Sequence, residues 1–169
     1  MLIIRALGAA LIIVAIWFVG FPCFLVSSGA EPFSLDLGRL RLLGALPLLT
    51  GALLFLWVTW IFALVGGGTP LVFDSPVRFV SIGPYLRVRN PMYIADTLIV
   101  TGEAVLLESS AILVYAGLLW LGLHLLVVAL EEPRLQRRFG ARYKEYCDRV
   151  PRWIPTVAKA AEKWTNSQS

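Results

Sequence analysis

Residues 111–130 read AILVYAGLLWLGLHLLVVAL, a run of twenty residues without Asp, Glu, Lys or Arg. A helix needs about 20 mainly apolar residues to cross the hydrocarbon core of a bilayer, so this run predicts a transmembrane helix. Three further apolar stretches lie at residues 2–26, 40–65 and 92–107. With 58% apolar and 15% charged residues, the chain is predicted to be an all-α integral membrane protein with about four transmembrane helices.

The third stretch is shorter than the others and carries two acids, Asp96 and Glu103. It is predicted to pair with the fourth as a helical hairpin that turns at residues 108–110. The two acids are seven residues apart and therefore share one helix face, which should point into the bundle rather than into lipid. Both are candidate substrate contacts, whereas the single His124 is interpreted as a hydrogen-bonded packing residue.

Basic residues predict the orientation, because short loops rich in Lys and Arg stay in the cytoplasm. With the amino terminus inside, thirteen basic residues fall inside and only Arg39 and Arg41 fall outside. Both termini are therefore predicted to be cytoplasmic, in a bacterial inner membrane. The formal charge of +4 follows from this topology, and nothing in its distribution indicates binding to nucleic acid.

Three parts are predicted along the chain: two amino-terminal helices (1–65), a core with hairpin and interfacial helices (66–156) and a polar tail (157–169). Chemistry-bearing residues concentrate in two cytoplasmic segments of the core, 66–93 and 131–155. The first is rich in Gly and Pro and ends in Asn90-Pro91, a pair typical of a helix start. Such a start can hold an anionic group, or it can simply begin a membrane helix.

The second segment opens with Glu131-Glu132, which we place at the cytoplasmic end of the fourth helix. Helix carboxyl ends favour cations, so an acidic pair there predicts a cationic partner. That partner is either a ligand or one of three following arginines, Arg134, Arg137 and Arg138.

Aromatic and leucine side chains recur at spacings of three and four from Leu135 to Tyr146, with basic residues between them. This pattern predicts cytoplasmic interfacial helices at the carboxyl end, and Arg152-Trp153 suits an interface anchor. The sequence has no phosphate loop, dinucleotide fingerprint, nucleophile elbow or metal-ligand spacing, and its two cysteines are far apart.

The two segments together resemble the isoprenylcysteine carboxyl methyltransferase family over residues 66–155. The resemblance is carried by Gly83-Pro84-Tyr85, Arg89-Asn90-Pro91-Met92-Tyr93, Glu131-Glu132, Phe139-Gly140, Tyr143, Tyr146 and Val150-Pro151. It implies a helical membrane enzyme that binds S-adenosylmethionine at the cytoplasmic surface and methylates a lipophilic or lipid acceptor from the bilayer.

Site residues follow from the same resemblance. Glu131 and Asn90 are the implied catalytic residues, and Glu132 joins Asp96 and Glu103 on the substrate side. The implied cofactor-binding residues are Val77, Arg78, Phe79, Val80, Tyr85, Asn90, Pro91, Met92, Tyr93 and Glu131.

Two positions depart from the family pattern and leave the acceptor open. Asn90 stands where eukaryotic members carry histidine, and Val127 stands where the family has a substrate-side arginine. The acceptor is therefore a prenylated thiol acid, a phospholipid amine, or a small lipophilic thiol or phenol.

Two alternatives compete with the methyltransferase. The first is a membrane reductase that binds NADPH phosphates through Arg78, Arg87 and Arg89. The second is a non-catalytic membrane module in which the acidic pair only bridges to the arginines that follow it.

Overall fold

The computed structural model describes Gly8 and residues 11–61, 63–64 and 81–155, and within these ranges the chain forms helices and turns without a strand. Six α-helices are labelled here: α1 (Phe21–Ser28), α2 (Ala45–Ile61), α3 (Pro91–Leu106), α4 (Ser110–Leu126), α5 (Glu132–Phe139) and α6 (Ala141–Arg149). A π-helical stretch, Val14–Gly20, precedes α1, and a 3-10 helix, Gly38–Gly44, leads into α2. The predicted all-α class is confirmed.

Three helices among the described residues are long and apolar enough to cross a membrane: Leu11–Ser28, Gly38–Ile61 and Ser110–Phe139. The predicted count of about four is not confirmed, because α3 has only 16 residues. At 1.5 Å per residue it is about 24 Å long, less than the hydrocarbon core of about 30 Å. The predicted hairpin is confirmed, since α3 turns into α4 through residues 107–109, with Glu108 at a φ of 54°.

Helix α3 lies at the centre of the bundle and packs on α2 and α4. Its contact with α2 depends on glycine: a Cβ at Gly102 would lie 2.6 Å from the Leu48 backbone nitrogen. A Cβ at Gly51 would lie 2.8 Å from the Ala95 carbonyl oxygen. Small residues let helix backbones approach closely in membranes, so these glycines set the position of α3.

Two acids join the connections at one end of the bundle, which we call the loop end (residues 29–44 and 107–110). Glu31 accepts hydrogen bonds from the hydroxyls of Ser109 and Ser110 and from the Ala111 amide, at 2.7–3.0 Å. Glu108 Oε1 accepts from the Leu37 and Gly38 amides, at 2.8 Å each. The hairpin turn is thereby tied to the α1–α2 connection.

Helix α4 does not end where the sequence predicted. It continues through a π-helical turn, Val127–Glu131, directly into α5. The Glu132 amide bonds the Val127 carbonyl five residues back, and Pro133, which has no N–H, follows in the first turn of α5. The prediction that the acidic pair opposes the dipole at a helix carboxyl end is therefore wrong, because both residues lie inside one long helix.

The interfacial helices α5 and α6 pack on each other through the predicted stripe. Tyr143, Tyr146 and Val150 are buried there, with Leu135 and Phe139 packed against them. Residues 151–153, which we call the strap, follow α6 and run back over the start of α3. Together these elements form the other end of the bundle, the site end.

Candidate active site

The start of α3 meets the π-helical turn at the site end. Tyr93, in the first turn of α3, donates a hydrogen bond from its hydroxyl to Glu131 Oε2 at 2.9 Å. Both side chains are half-buried. The structure thus brings together two predicted cofactor residues that are 38 positions apart in sequence.

Tyr85 lies on a short 3-10 turn, Gly83–Leu86, beside this pair. Gly83 has a φ of 57°, and a Cβ there would lie 2.8 Å from the end of the Ile61 side chain, so the turn packs on the end of α2. The Tyr85 carbonyl accepts a hydrogen bond of 2.7 Å from the Tyr146 hydroxyl. Burial, with the negative charge of Glu131, raises the pKa of Tyr85, which keeps its phenol protonated at neutral pH.

Asn90 starts α3 but does not cap it with its side chain. Its Nδ2 instead donates to the Arg152 carbonyl of the strap, at 3.2 Å. Asn90 therefore marks the start of α3, as predicted, but its side chain bonds the strap and not the first-turn amides of the helix. Asn90, Pro91 and Met92 are all buried, so this helix start lies beneath the strap rather than open at the surface.

The two acids of α3 occupy different places along the helix. Asp96 lies one turn after Tyr93 on α3, and its charge interacts with Tyr85 and also with Tyr115. Glu103 lies seven residues further, about 10 Å along the axis, and interacts with Tyr115 of α4. Among the described residues, Asp96 Oδ1 and Glu103 Oε2 are buried without a hydrogen-bond partner.

Glu132 binds two arginines from other segments. Its Oε1 lies 3.0 Å from the Arg89 guanidinium and 2.8 Å from Arg152 Nε, while its Oε2 lies 2.8 Å from a second Arg152 nitrogen. Glu132 was predicted as a substrate contact, and the structure gives both its oxygens protein partners. These hydrogen bonds raise the pKa of Arg152 further.

The suggestion that the acidic pair bridges to the arginines after it holds for only one of its two members. Residues three and four apart are neighbours on a helix, so Arg134 lies next to Glu131 and interacts with its charge. The same positions after Glu132 hold Leu135 and Gln136, and Glu132 pairs with Arg89 and Arg152 instead. The spacing could therefore have excluded a local arginine partner for Glu132, but not for Glu131.

The strap makes two further hydrogen bonds. The Pro151 carbonyl accepts from the Arg89 amide at 2.9 Å, and Trp153 Nε1 donates to His124 Nδ1 at 3.1 Å. His124 also stacks on Trp120, with ring centroids 5.5 Å apart. His124 is therefore the hydrogen-bonded packing residue that was predicted, whereas the pairing of Arg152 was missed because Arg152-Trp153 was interpreted as an interface anchor.

Part of the predicted cofactor site falls outside the described residues, namely Val77, Arg78, Phe79 and Val80. The remaining predicted members, Tyr85, Asn90 to Tyr93 and Glu131, gather at the site end within the part of the chain that the structure describes.

The family model described as phospholipid methyltransferase matches residues 40–142, more than half of the chain. The protein belongs to the phospholipid methyltransferase family. Phospholipid methyltransferases fall within the isoprenylcysteine carboxyl methyltransferase-like group, which confirms the resemblance found in the sequence. The match also includes α2, which lies before the resembling region. Comparison with curated proteins and with solved structures gave no match.

Membership of the phospholipid methyltransferase family, together with three candidate spans, makes this chain a membrane methyltransferase that acts on a membrane substrate. Neither the reductase nor the non-catalytic module accounts for the family match. Within the matched region lie both partners of the Tyr93–Glu131 hydrogen bond.

Proposed function

We propose that the protein transfers a methyl group from S-adenosylmethionine to a lipophilic acceptor in the bilayer, on the cytoplasmic face of a bacterial inner membrane. The observation that carries this proposal is the Tyr93–Glu131 pair. It places a half-buried carboxylate, oriented by a phenol, at a π-helical turn inside a long membrane helix. Turns of this kind are frequent at functional sites.

The side chains at the site end fit a cationic sulfonium. Glu131 supplies a negative charge in a partly desolvated place, where Coulomb attraction is stronger than in water. Tyr85 and Tyr93 supply aromatic rings, which attract cations through their faces. Asp96 lies beside these residues on the acceptor side, and its buried Oδ1 has no hydrogen-bond partner among the described residues.

S-adenosylmethionine supplies, when bound, a methyl group activated by a positively charged sulfur. On transfer, the acceptor's lone pair would form the new bond to the methyl carbon while the carbon–sulfur bond broke with its electron pair left on sulfur, and an acceptor that carries a proton, such as an amine, thiol or phenol, would release it. The protein's contribution is alignment, which can supply several kcal/mol of the barrier. Glu131 and Tyr93 hold the cofactor side of this arrangement, and Asp96 faces the acceptor and receives its hydrogen bond or proton.

The test is calorimetric titration of the purified protein in detergent with S-adenosylmethionine and, separately, with NADPH. We expect the wild type to bind S-adenosylmethionine only. Glu131→Gln removes the charge and keeps the shape, and should raise the Kd at least tenfold. Glu145→Gln is the matched control, because Glu145 is an exposed acid on α6 paired with Arg149.

Three results would count against the proposal. The first is that a folded wild type binds neither compound, and the second is that it binds NADPH alone. The third is that Glu131→Gln binds S-adenosylmethionine as tightly as Glu145→Gln does.

A further inference from the structure

Three charged residues from three segments form one cluster at the site end, which we call the clamp: Arg89, Glu132 and Arg152. The Glu132 carboxylate joins both arginines through contacts of 2.8–3.0 Å. Two clamp residues are largely removed from water, with the Arg89 and Glu132 side chains only 13% and 18% exposed, and the Arg152 side chain is 31% exposed.

Each clamp residue is coupled to a candidate site residue. Arg89 directly precedes Asn90, and Glu132 directly follows Glu131. Arg152 holds Asn90 through its own carbonyl. The clamp therefore joins the start of α3 to the π-helical turn, the same two places that the Tyr93–Glu131 hydrogen bond connects.

Stability alone is a weak reason for such a cluster. Removing charges from water costs several kcal/mol per ion, and replacing buried ion pairs by apolar residues is often neutral or stabilising. A fork of two guanidinium nitrogens on one carboxylate does provide directional geometry. The clamp has the properties expected of a device that sets the relative position of two segments.

We propose that Glu132 and Arg152 are positioning residues that set the distance between Glu131 and the start of α3, and thereby the affinity for S-adenosylmethionine. This inference rests on the proposed function. A positioning role and a simple charge effect predict opposite results for loss of Arg152. Loss of Arg152 removes a positive charge near a cation site, so charge alone would tighten binding, whereas loss of positioning weakens it.

The experiment measures the Kd for S-adenosylmethionine and the unfolding temperature of Glu132→Gln, Arg152→Gln, the double variant and Arg152→Lys. Both single variants should raise the Kd at least tenfold. The double variant should be little worse than either one, because the pair acts as a unit. Arg152→Lys should recover part of the affinity, since lysine keeps the charge without the two-nitrogen fork.

Glu145→Gln and Arg149→Gln are the controls, because they break an exposed Glu–Arg pair on α6 that does not touch the site. If Arg152→Gln binds S-adenosylmethionine more tightly than wild type does, Arg152 acts only through its charge, and the proposal is overturned. Wild-type affinity in both single variants would overturn it as well. If Glu132→Gln does not fold, the affinity of Arg152→Lys for S-adenosylmethionine decides the question. Wild-type affinity in Arg152→Lys would show that the two-nitrogen contact of Arg152 with Glu132 is not needed, and would overturn the proposal.

These results can be separated from failure of the proposed function. Absence of S-adenosylmethionine binding in the wild type removes both proposals. Binding that is sensitive to Glu131→Gln but insensitive to the clamp variants removes only the positioning role.

Discussion

Asp96 is an unusual residue for the inside of a bundle, because one of its oxygens is buried without a partner among the described residues. A carboxylate that is costly to bury and kept near the site is expected to serve the reaction. Asp96→Asn should leave the affinity for S-adenosylmethionine within about threefold of wild type and lower the methylation rate at least about 100-fold, as loss of a proton acceptor does. Radiolabelled methyl transfer to membrane lipid extracts measures the rate.

Glu103→Gln is the control for Asp96→Asn, since Glu103 is on the same helix with a buried, unpartnered oxygen but lies about 10 Å further along the axis. It should retain the methylation rate. Equal rates in both variants would remove Asp96 from the acceptor side. The unfolding temperature of Asp96→Asn should equal or exceed that of wild type, because an unpaired buried acid destabilises the fold.

At this scale the sequence could predict the identity of several site residues but not their partners. Tyr93 and Glu131 were identified through motifs in each segment, and the structure joins them. Asn90 was predicted to start α3 and to serve the cofactor and Glu132 to contact substrate, and in the structure both side chains bind the strap. Pairings across 20 to 62 residues depend on how helices pack, and a single sequence carries no direct record of that packing.

The α2–α3 contact gives a prediction about an element. In Gly102→Ala the new methyl would meet the backbones of Leu48 and Gly44 at 2.6–2.7 Å, and a backbone cannot rotate away as a side chain does. We expect a loss of about 1–3 kcal/mol of stability, the usual cost of overpacking. Thermal unfolding in detergent measures this.

Gly117→Ala is the matched control for Gly102→Ala, because Gly117 lies in α4 with nothing within 4 Å of its would-be Cβ. It should stabilise the helix by about 0.5–1 kcal/mol, the difference between alanine and glycine in a helix interior. Equal behaviour of the two variants would contradict the close approach of α2 and α3.

Glu31 gives a pH-dependent prediction at the start of α4. Hydrogen bonds from Ser110, Ser109 and the Ala111 amide lower the pKa of Glu31. A carboxyl group whose pKa is lower in the folded state stabilises the fold above its unfolded pKa, and this stabilisation is lost as pH falls through the folded pKa. The unfolding temperature of Glu31→Gln should therefore lie below that of wild type at pH 7, with the gap closing on acidification below about pH 4.

Asp36→Asn is the control for Glu31→Gln, because Asp36 is another acid of the α1–α2 connection. A gap that stays constant from pH 7 to pH 3 would show that Glu31 acts through something other than its charge.

The sequence could predict helix positions better than helix ends. The third stretch was placed at 92–107 and α3 spans Pro91–Leu106, because apolar periodicity and the Asn-Pro start both mark it. The fourth was predicted to end at Leu130, where charges begin, yet the helix runs on to Phe139. A helix need not end where the apolar residues end and the charged residues begin. Here the π-helical turn accommodates Pro133, so the helix continues.

The distribution of basic residues makes a prediction about the whole molecule. The loop end carries the basic residues Arg39 and Arg41. The site end carries Arg87, Arg89 and the basic residues of α5 and α6. The positive-inside rule therefore predicts that the site end lies in the cytoplasm. Green fluorescent protein fused after Ser169 should fluoresce in bacterial cells, and alkaline phosphatase inserted after Ser34 should be active.

The reverse pattern, with active phosphatase at the carboxyl terminus and an inactive enzyme after Ser34, would place the site end outside. Neutralising Arg39 and Arg41 together should leave the orientation unchanged, because most of the positive charge lies at the site end.

The π-helical turn at Val127–Glu131 also sets the rotation of the helix after it relative to the helix before it. It holds one residue more than an ordinary helical turn would, so the part of the helix before it and the α5 extension after it are out of phase by about 100°. Deleting Ala129 would remove the extra residue and rotate the whole extension about its axis, carrying the amphipathic face of α5 away from α6. Chimeras that join the helix before this turn from one relative to the helix after it from another will therefore work only when both relatives have the same number of residues in the π-helical turn.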